Sequence, residues 1–427
     1  MVSQVLTTLA VDSDRLINMI QQLAKLGALP NGGVQRLAFG SEDCRARSLV
    51  RRWMVEAGMT VRTDEAGNII GRYAGRFDEA PPLVTGSHID TVPNAGHYDG
   101  TYGVLAGIES VRTLHDRGIR LDHPLEVIVF ADEERTMIGC KAIAGQLLPN
   151  PELYSSRSGE SVQACLERVG GDWNIIHHAQ RERGAMAAFV ELHVEQGPVL
   201  TSVGKQIGVV TGIVGQRRFW ITVDGQSSHA GTTPMNMRQD ALVAAAQMVL
   251  EINRIGNQAG DQVATVGRME LHPNVPNSIP GRVEMSLDLR DLSDDRLDEL
   301  YTQIEQAINQ VAIATDTRIR ITQHLDNEPA PANSHIQTAI AQVCDDLNLS
   351  HCNLPSRASH DAQEISRITD MGMIFVPSEG GISHSETEYT TPEDCANGAT
   401  VLLHTLMRLD RHYRAHHSDV FAQPHET

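Results

Sequence analysis

No CxxC pair occurs among the six cysteines, which lie far apart at Cys44, Cys140, Cys165, Cys344, Cys352 and Cys395. That spacing excludes a disulfide framework and a cysteine-built structural zinc site, and the six read as reduced core residues. Long apolar runs are also missing, and Asp12, Asp14 and Arg15 stand early in the chain with no leader-like stretch before them. Neither membrane insertion nor export is indicated, so a cytoplasmic location is expected. Positive charge is in deficit: 35 Lys and Arg face 54 Asp and Glu, for a formal net charge of -19. Such a chain repels phosphate backbones and anionic membranes, which argues against nucleic acid as a partner. It also weakly repels anionic substrates, so any carboxylate must be recognised by a local arginine. A glycine-rich phosphate loop is absent as well, which removes the usual nucleotide-binding reading.

What remains is an ordinary globular composition, 41% apolar and 21% charged over 427 residues, a length at which two domains are the default expectation. Ser41 as cap, Glu42 and Asp43 in the first turn and Gly58 beyond Val55 mark a helix. Short apolar runs at 82–88, 125–131 and 187–193 alternate with helical stretches such as 104–115, the rhythm of an α/β fold with a parallel-rich sheet. From about Gly212 the pattern becomes strand 218–223, helix 240–254, strand 263–269, strand 282–289, helix 294–312, strand 318–323. This βαββαβ order predicts an inserted domain over 212–328, which splits the first domain into 1–211 and 329–427. Ser293 caps its second helix. A helix at 336–347, a strand at 371–376 and a helix from Pro392 to about Leu409, capped by Thr391, resume the first domain's rhythm. The tail from about His412 reads as polar and loose.

Histidines and acids stand where apolar strands end. His88 closes the first such run, and Asp90 two residues on is placed to fix the imidazole's tautomer, as metal-binding histidines require. Taken singly, His88 is more often an ordinary surface histidine. Glycines at 96 and 100 let the backbone turn Asp99 back toward His88, and a carboxylate there is suited to bridging two cations. The run 125–131 leads into Asp132, Glu133 and Glu134, whose mutual repulsion is costly without a cation, although a charged surface loop is the plain alternative. Adjacent residues at a strand end point to opposite sides, so Glu134 is expected to ligate metal and Glu133 to shuttle a proton. His193 ends the third apolar run and His384 follows a glycine-rich loop after the strand 371–376. His97 has no matched role. Nitrogen and oxygen donors of this kind suit zinc, manganese, cobalt or nickel.

The blocks GSHIDTVPNAGHYDG (86–100), Glu133-Glu134, ELHVEQG (191–197), VGQRRFWITVDGQSSHAGTTPMNMRQD (214–240), PNSIPG (276–281) and GISHSETEY (381–389) span nearly the whole chain. Together they resemble the metal-dependent amidohydrolases that include N-carbamoyl-L-amino acid, allantoate and ureidoglycolate amidohydrolases. The resemblance implies a metallopeptidase-like α/β catalytic domain, a mixed sheet flanked by helices, and an inserted ferredoxin-like lid and dimerisation domain. It implies two divalent cations, one held by His88, Asp99 and His193 and the other by Asp99, Glu134 and His384, with Glu133 as general acid and base. It implies that His229 steadies the oxyanion in a partner subunit's site, making a homodimer. Gln216, Asn277 and Arg290 match positions that hold the substrate carboxylate, and Ser359 and His360 match positions near the substrate. On its own Arg290 is as readily an exposed charge, and Asn277 a turn residue.

The chain departs from that pattern in three places. Arg135-Thr136-Met137-Ile138-Gly139-Cys140 replaces the usual Gly-Ser/Thr-Arg-Phe after the glutamate pair and is a few residues shorter, so the pocket wall is expected to differ. Ser359 replaces a glycine, and Ala95-Gly96 stands for Gly-Gly. The expected reaction is hydrolysis of a linear amide or ureido C–N bond in a small carboxylate-bearing molecule, with release of ammonia and carbon dioxide. An N-acyl amino acid amidohydrolase or dipeptidase, and a non-catalytic metal-binding scaffold, are the alternatives.

Overall fold

Four runs, Leu83–His88, Leu125–Phe130, Ala188–Val194 and Met371–Val376, are buried along their whole length in the computed structural model, which describes residues 9–416. Burial on both faces is why they read as continuous apolar stretches and not as alternating ones. They form the centre of a mixed sheet whose spatial order is Thr60–Thr63, Ile69–Tyr73, Leu125–Phe130, Leu83–His88, Ala188–Val194, Met371–Val376, Ile207–Ile213. The four central strands run parallel, and the flanking pairs are antiparallel. Helices Ser13–Ala24, Thr101–Asp116, Ser334–Asp346 and Pro392–His416 share one buried cluster with this sheet, including Leu16, Leu105, Ile340 and Leu402.

The chain folds into two compact units, one formed by residues up to Thr211 and from Ala332 onward, the other by Gly212–Pro331. In the second unit an antiparallel sheet has the order Met269–His272, Arg282–Asp291, Gly215–Asp224, Arg318–Asn327. Its strands alternate with period two. Phe219, Ile221 and Val223 meet Met285, Leu287 and Leu289 and the inward faces of helices Ala241–Gly256 and Asp294–Ala314.

Several boundaries differ from the sequence reading. Gly40, not Ser41, caps the helix Ser41–Glu56, because the helix has already begun at Ser41. The expected strand 263–269 is two short strands, Val263–Thr265 and Met269–His272, each paired to Arg282–Asp291. The last helix does not end near Leu409 but runs on to His416, so the segment from His412 is helical that far; the remainder of the tail lies outside the described residues. The caps Ser293 and Thr391 bond first-turn amides as expected, and Asp240, read as the first residue of its helix, is instead the cap of Ala241–Gly256.

Candidate metal centre

The carboxyl ends of parallel strands are where an α/β sheet presents reactive side chains, and His88 is the last residue of such a strand. Its Nδ1 bonds the backbone carbonyl of Asp90 at 3.0 Å. His193, near the end of the next strand, has its Nδ1 at 2.8 Å from the carbonyl of Val194. Both bonds place a proton on Nδ1, so that in the neutral ring the electron pair lies on Nε2; that of His193 accepts the amide of Gly100 at 3.1 Å. Gly100 makes the approach possible: its φ is 61°, and a Cβ there would lie 2.3 Å from Nε2 of His88.

Asp99, one residue earlier, is held by its neighbours' chemistry. Oε1 of Glu388 accepts the amides of Tyr98 at 2.8 Å and Asp99 at 3.0 Å. The carboxylate of Asp99 then divides its two oxygens. Oδ1 lies 3.2 Å from Nε2 of His193 and 3.7 Å from Nε2 of His88, while Oδ2 lies 3.2 Å from Nε2 of His384. Gln196 Nε2 and Ser383 Oγ donate to Oδ2 at 2.8 and 3.1 Å. Oε1 of Glu134 is 3.6 Å from Nε2 of His384, and Oε2 of Glu133 is 3.5 Å from Nε2 of His88. Donor atoms of His88, Asp99 and His193, and separately those of Asp99, Glu134 and His384, converge closely enough to hold a metal ion.

Two sequence expectations are corrected here. The carboxylate of Asp90 does not orient His88, since its Oδ1 is 3.9 Å from Nδ1; the backbone carbonyl does. The carboxylate instead accepts the amides of Glu133 and Glu134 at 3.4 and 3.3 Å, bracing the turn that carries both acids. Strand alternation is likewise not what separates Glu133 from Glu134. The strand stops at Phe130, and Asp132, at φ 56°, starts a turn that sends one acid to His88 and the other to His384.

The donor set fits divalent cations. Oε1 of Glu134 is buried with no hydrogen-bond partner, an arrangement a cation would relieve. Burial, then the charge of Asp99, pushes Glu134 up to about 8, and burial with Glu134 and Asp361 beside it holds Glu133 well above the carboxylate range. Asp99 is held well below it, because the bonds from His193 and His384 outweigh its burial. Burial lowers His88 to about 4, whereas His193, despite burial, is raised to about 9 by Asp99.

The model of the peptidase family M20/M25/M40 matches residues 84–408. The chain belongs to this family. An N-carbamoyl-L-amino acid amidohydrolase of Geobacillus stearothermophilus is 40% identical over 406 residues, 93% of this chain and 99% of the relative. A ureidoglycolate hydrolase of Arabidopsis thaliana is 35% identical, covering 94% of this chain and 88% of the relative. Among solved structures, an amidase of the hydantoinase/carbamoylase family from Burkholderia multivorans superposes with a TM-score of 0.88 at 38% identity, covering 94% of this chain and 98% of that one. This member of the family is therefore a hydrolase with a cluster of His, Asp and Glu side chains that could hold metal. None of its described helices is long and apolar enough to cross a membrane.

The other candidate residues fall at the border of that cluster or within the second unit. His360 is buried, 2.8 Å from Ser356 Oγ through Nε2, with its ring edge-on to His193 at 4.6 Å between centroids. Ser359 is half-buried in the loop just before it. In the second unit, Arg290 and Gln216 face each other across adjacent strands, and both bond the carboxylate of Asp288, Arg290 Nε at 3.0 Å and Gln216 Nε2 at 2.8 Å. Asn277 precedes the strand that pairs Ser278 with His229, and its carbonyl accepts the amide of Ala230 at 3.0 Å. Sequence reasoning gave no role to Gln196, Ser383, Glu388 or Glu191. Glu191 accepts from Ser87 Oγ at 2.8 Å and the amide of Ala362 at 2.9 Å, tying three segments behind His193. The available signal was their position inside the blocks that carry the family resemblance.

This protonation pattern makes the metal-free fold sensitive to pH. His193 and His384, raised from 6.5 to about 9, contribute stability that is complete below pH 6.5 and is lost as pH rises through 9. Glu134, raised from 4.5 to about 8, keeps a proton the unfolded chain releases, which acts in the same direction. Chelator-treated protein is expected to melt at a lower temperature at pH 8.5 than at pH 6.5 in scanning calorimetry, and bound cations, replacing those protons, should flatten the dependence. A metal-free melting temperature indifferent to pH over that range would contradict the geometry's electrostatics.

Proposed function

We propose that this chain hydrolyses the linear, non-peptide C–N bond of an N-carbamoyl-L-amino acid or a related ureido acid such as allantoate or ureidoglycolate. Ammonia, carbon dioxide and an amine are the products. The observation that carries this reading is the division of Asp99, Oδ1 toward His88 and His193 and Oδ2 toward His384. It supports two divalent cations, zinc, manganese, cobalt or nickel, held by His88, Asp99 and His193 and by Asp99, Glu134 and His384. When bound, such ions supply Lewis acidity and bring a water's pKa toward neutrality.

The chain's own residues handle the protons and the orientation. Oε2 of Glu133 accepts the proton of the attacking water and returns it to the leaving nitrogen. Asp90 contributes by bracing the Glu133-Glu134 turn through their amides. Nδ1 of His229 accepts the amides of Gly231 and Thr232 at 3.0 and 3.3 Å, so its neutral ring carries hydrogen on Nε2. That makes it a donor, as an oxyanion requires. Arg290 and Gln216, oriented by Asp288, and Asn277 hold the substrate carboxylate, with Ser359 and His360 near the reacting group. The second unit's strand order, with its two helices on one face, supports a ferredoxin-like lid and dimerisation module. We assign the enzyme to the cytoplasm as a homodimer; all six cysteines are free thiols, in keeping with a reducing compartment.

The test is a substrate screen on manganese- and zinc-loaded enzyme. Ammonia release from N-carbamoyl amino acids, allantoate or ureidoglycolate is expected, and chelation should abolish it. Turnover confined to N-acyl amino acids or dipeptides would replace this reading with an acylase or dipeptidase.

A further inference from the structure

Arg36 has no part in the mechanism above, yet its side chain is buried, at 1% exposure. It makes no ion pair within the described residues, and every acceptor of its guanidinium is neutral. Nε donates to the carbonyl of Ile89 at 2.6 Å, Nη2 to Oγ1 of Thr101 at 3.1 Å, and Nη1 to the carbonyls of Leu23 and Leu26 at 3.1 and 2.9 Å. We propose that Arg36 is a positioning residue that fixes the loop of His88 against the loop of Asp99, and so sets the donor geometry of the cation position they share. This role rests on the reading of His88 and Asp99 as metal ligands and deepens it.

A guanidinium without a bonded carboxylate is a poor filler for a core. Taking it out of water is unfavourable, and apolar residues of similar volume commonly give equal or greater stability in such places. Burial lowers its pKa to about 10, with Asp43 and then Asp90 opposing that loss, so the group keeps its charge at neutral pH. The helix Ser13–Ala24 turns its carbonyl end toward it, where a cation is favoured. A planar fork supplies what an apolar side chain cannot: donors in fixed directions to three separate segments.

Two of those segments carry the ligands. Ile89 directly follows His88, and the next carbonyl, that of Asp90, takes the Nδ1 proton of His88. The backbone of Arg36 also pairs with Thr91 in both directions, its amide donating to Oγ1 at 2.8 Å and its carbonyl accepting the Thr91 amide at 2.9 Å. On the other side, Thr101 stands two residues beyond Asp99 and donates its amide to the carbonyl of Asp99. No slack remains where the two loops meet. A Cβ at Gly100 would lie 2.3 Å from Nε2 of His88, and that nitrogen is 3.7 Å from Oδ1 of Asp99. One guanidinium therefore holds both sides of the contact, where a shift of about 1 Å is enough to lower the rate about a hundredfold.

The test uses the full chain in three variants. Thr101→Val keeps the shape of the side chain and removes only the acceptor that joins Arg36 to the helix after Asp99. Arg36→Lys keeps a charge on a single donor head, and Arg36→Met keeps bulk without donors. Manganese affinity is measured by calorimetric titration of chelator-treated protein, melting temperature by scanning calorimetry, and kcat and KM on a ureido acid that the wild type hydrolyses. Thr101→Val should melt close to the wild type, yet bind manganese about tenfold more weakly and lose about tenfold in kcat, with KM within about twofold. Arg36→Met should lose about a hundredfold in both affinity and kcat, and Arg36→Lys should recover part of each. If Arg36→Met does not fold, the other two variants decide. Wild-type manganese affinity and kcat in folded Thr101→Val and Arg36→Lys, with only the melting temperature lowered, makes Arg36 a stability element and overturns the proposal. The titration needs no substrate, so absence of ureido-acid turnover would sink the functional reading alone, while weakened manganese binding in the variants would still support the positioning role. A wild-type protein that binds neither manganese nor zinc overturns both.

Discussion

Glu133→Gln is expected to lower kcat by about 10³-fold or more while the metal content stays at the wild-type value. The amide keeps the size of the side chain and an acceptor near Nε2 of His88, from which Oε2 of Glu133 lies 3.5 Å away. What it loses is the ability to take a proton and give it back. The divided carboxylate of Asp99, Glu134 and the three histidines is untouched, so in the proposed mechanism only the proton transfer is removed. KM should change little, because Glu133 is not among the groups assigned to the substrate carboxylate. The check is steady-state kinetics beside elemental analysis of the same sample. Loss of metal together with activity would make Glu133 a ligand and would end its assignment as acid and base.

Asp99→Asn should have an even broader effect, because in the proposed reading one residue serves both cation positions. The substitution is nearly isosteric, and its remaining oxygen can still face His88 and His193 or His384, but no longer both pairs with charge. Metal stoichiometry is expected to fall from the proposed two per chain toward none, and activity to drop by about 10³-fold or more. His384→Ala is the informative contrast: it should cost one ion and spare the site of His88 and His193. Equal losses from the two variants, or full occupancy in Asp99→Asn, would show that Asp99 does not bridge. Since Glu388, Gln196 and Ser383 also hold Asp99, a folding check by circular dichroism belongs with the assay.

Much of the site was legible because strand ends are legible. His88 and His193 close apolar runs buried on both faces, and His384 follows another after a glycine-rich loop. Glycine and proline punctuation located the loops, and caps such as Ser293 and Thr391 located helix starts. The roles of neighbouring acids were less legible. Asp90 looked like the partner of His88 from its spacing, yet the backbone carbonyl takes that bond and the carboxylate braces the next loop. Glu388 stands 289 residues from Asp99 and bonds its amide; no local periodicity reports a pairing of that range.

The amino-acid sequence alone determined which donor types are available, the order of the elements and the family to which they belong, because these depend on residue identity and on periodicities of a few residues. Only the tertiary structure decided which oxygen of Asp99 meets which histidine, and that Glu388 holds the amide of Asp99. Those facts follow from the order of strands in the sheet, where Met371–Val376 lies beside Ala188–Val194 and carries its following loop to the strand ends. Strand order is set by the packing of the whole core, and a chain read residue by residue contains no term for it.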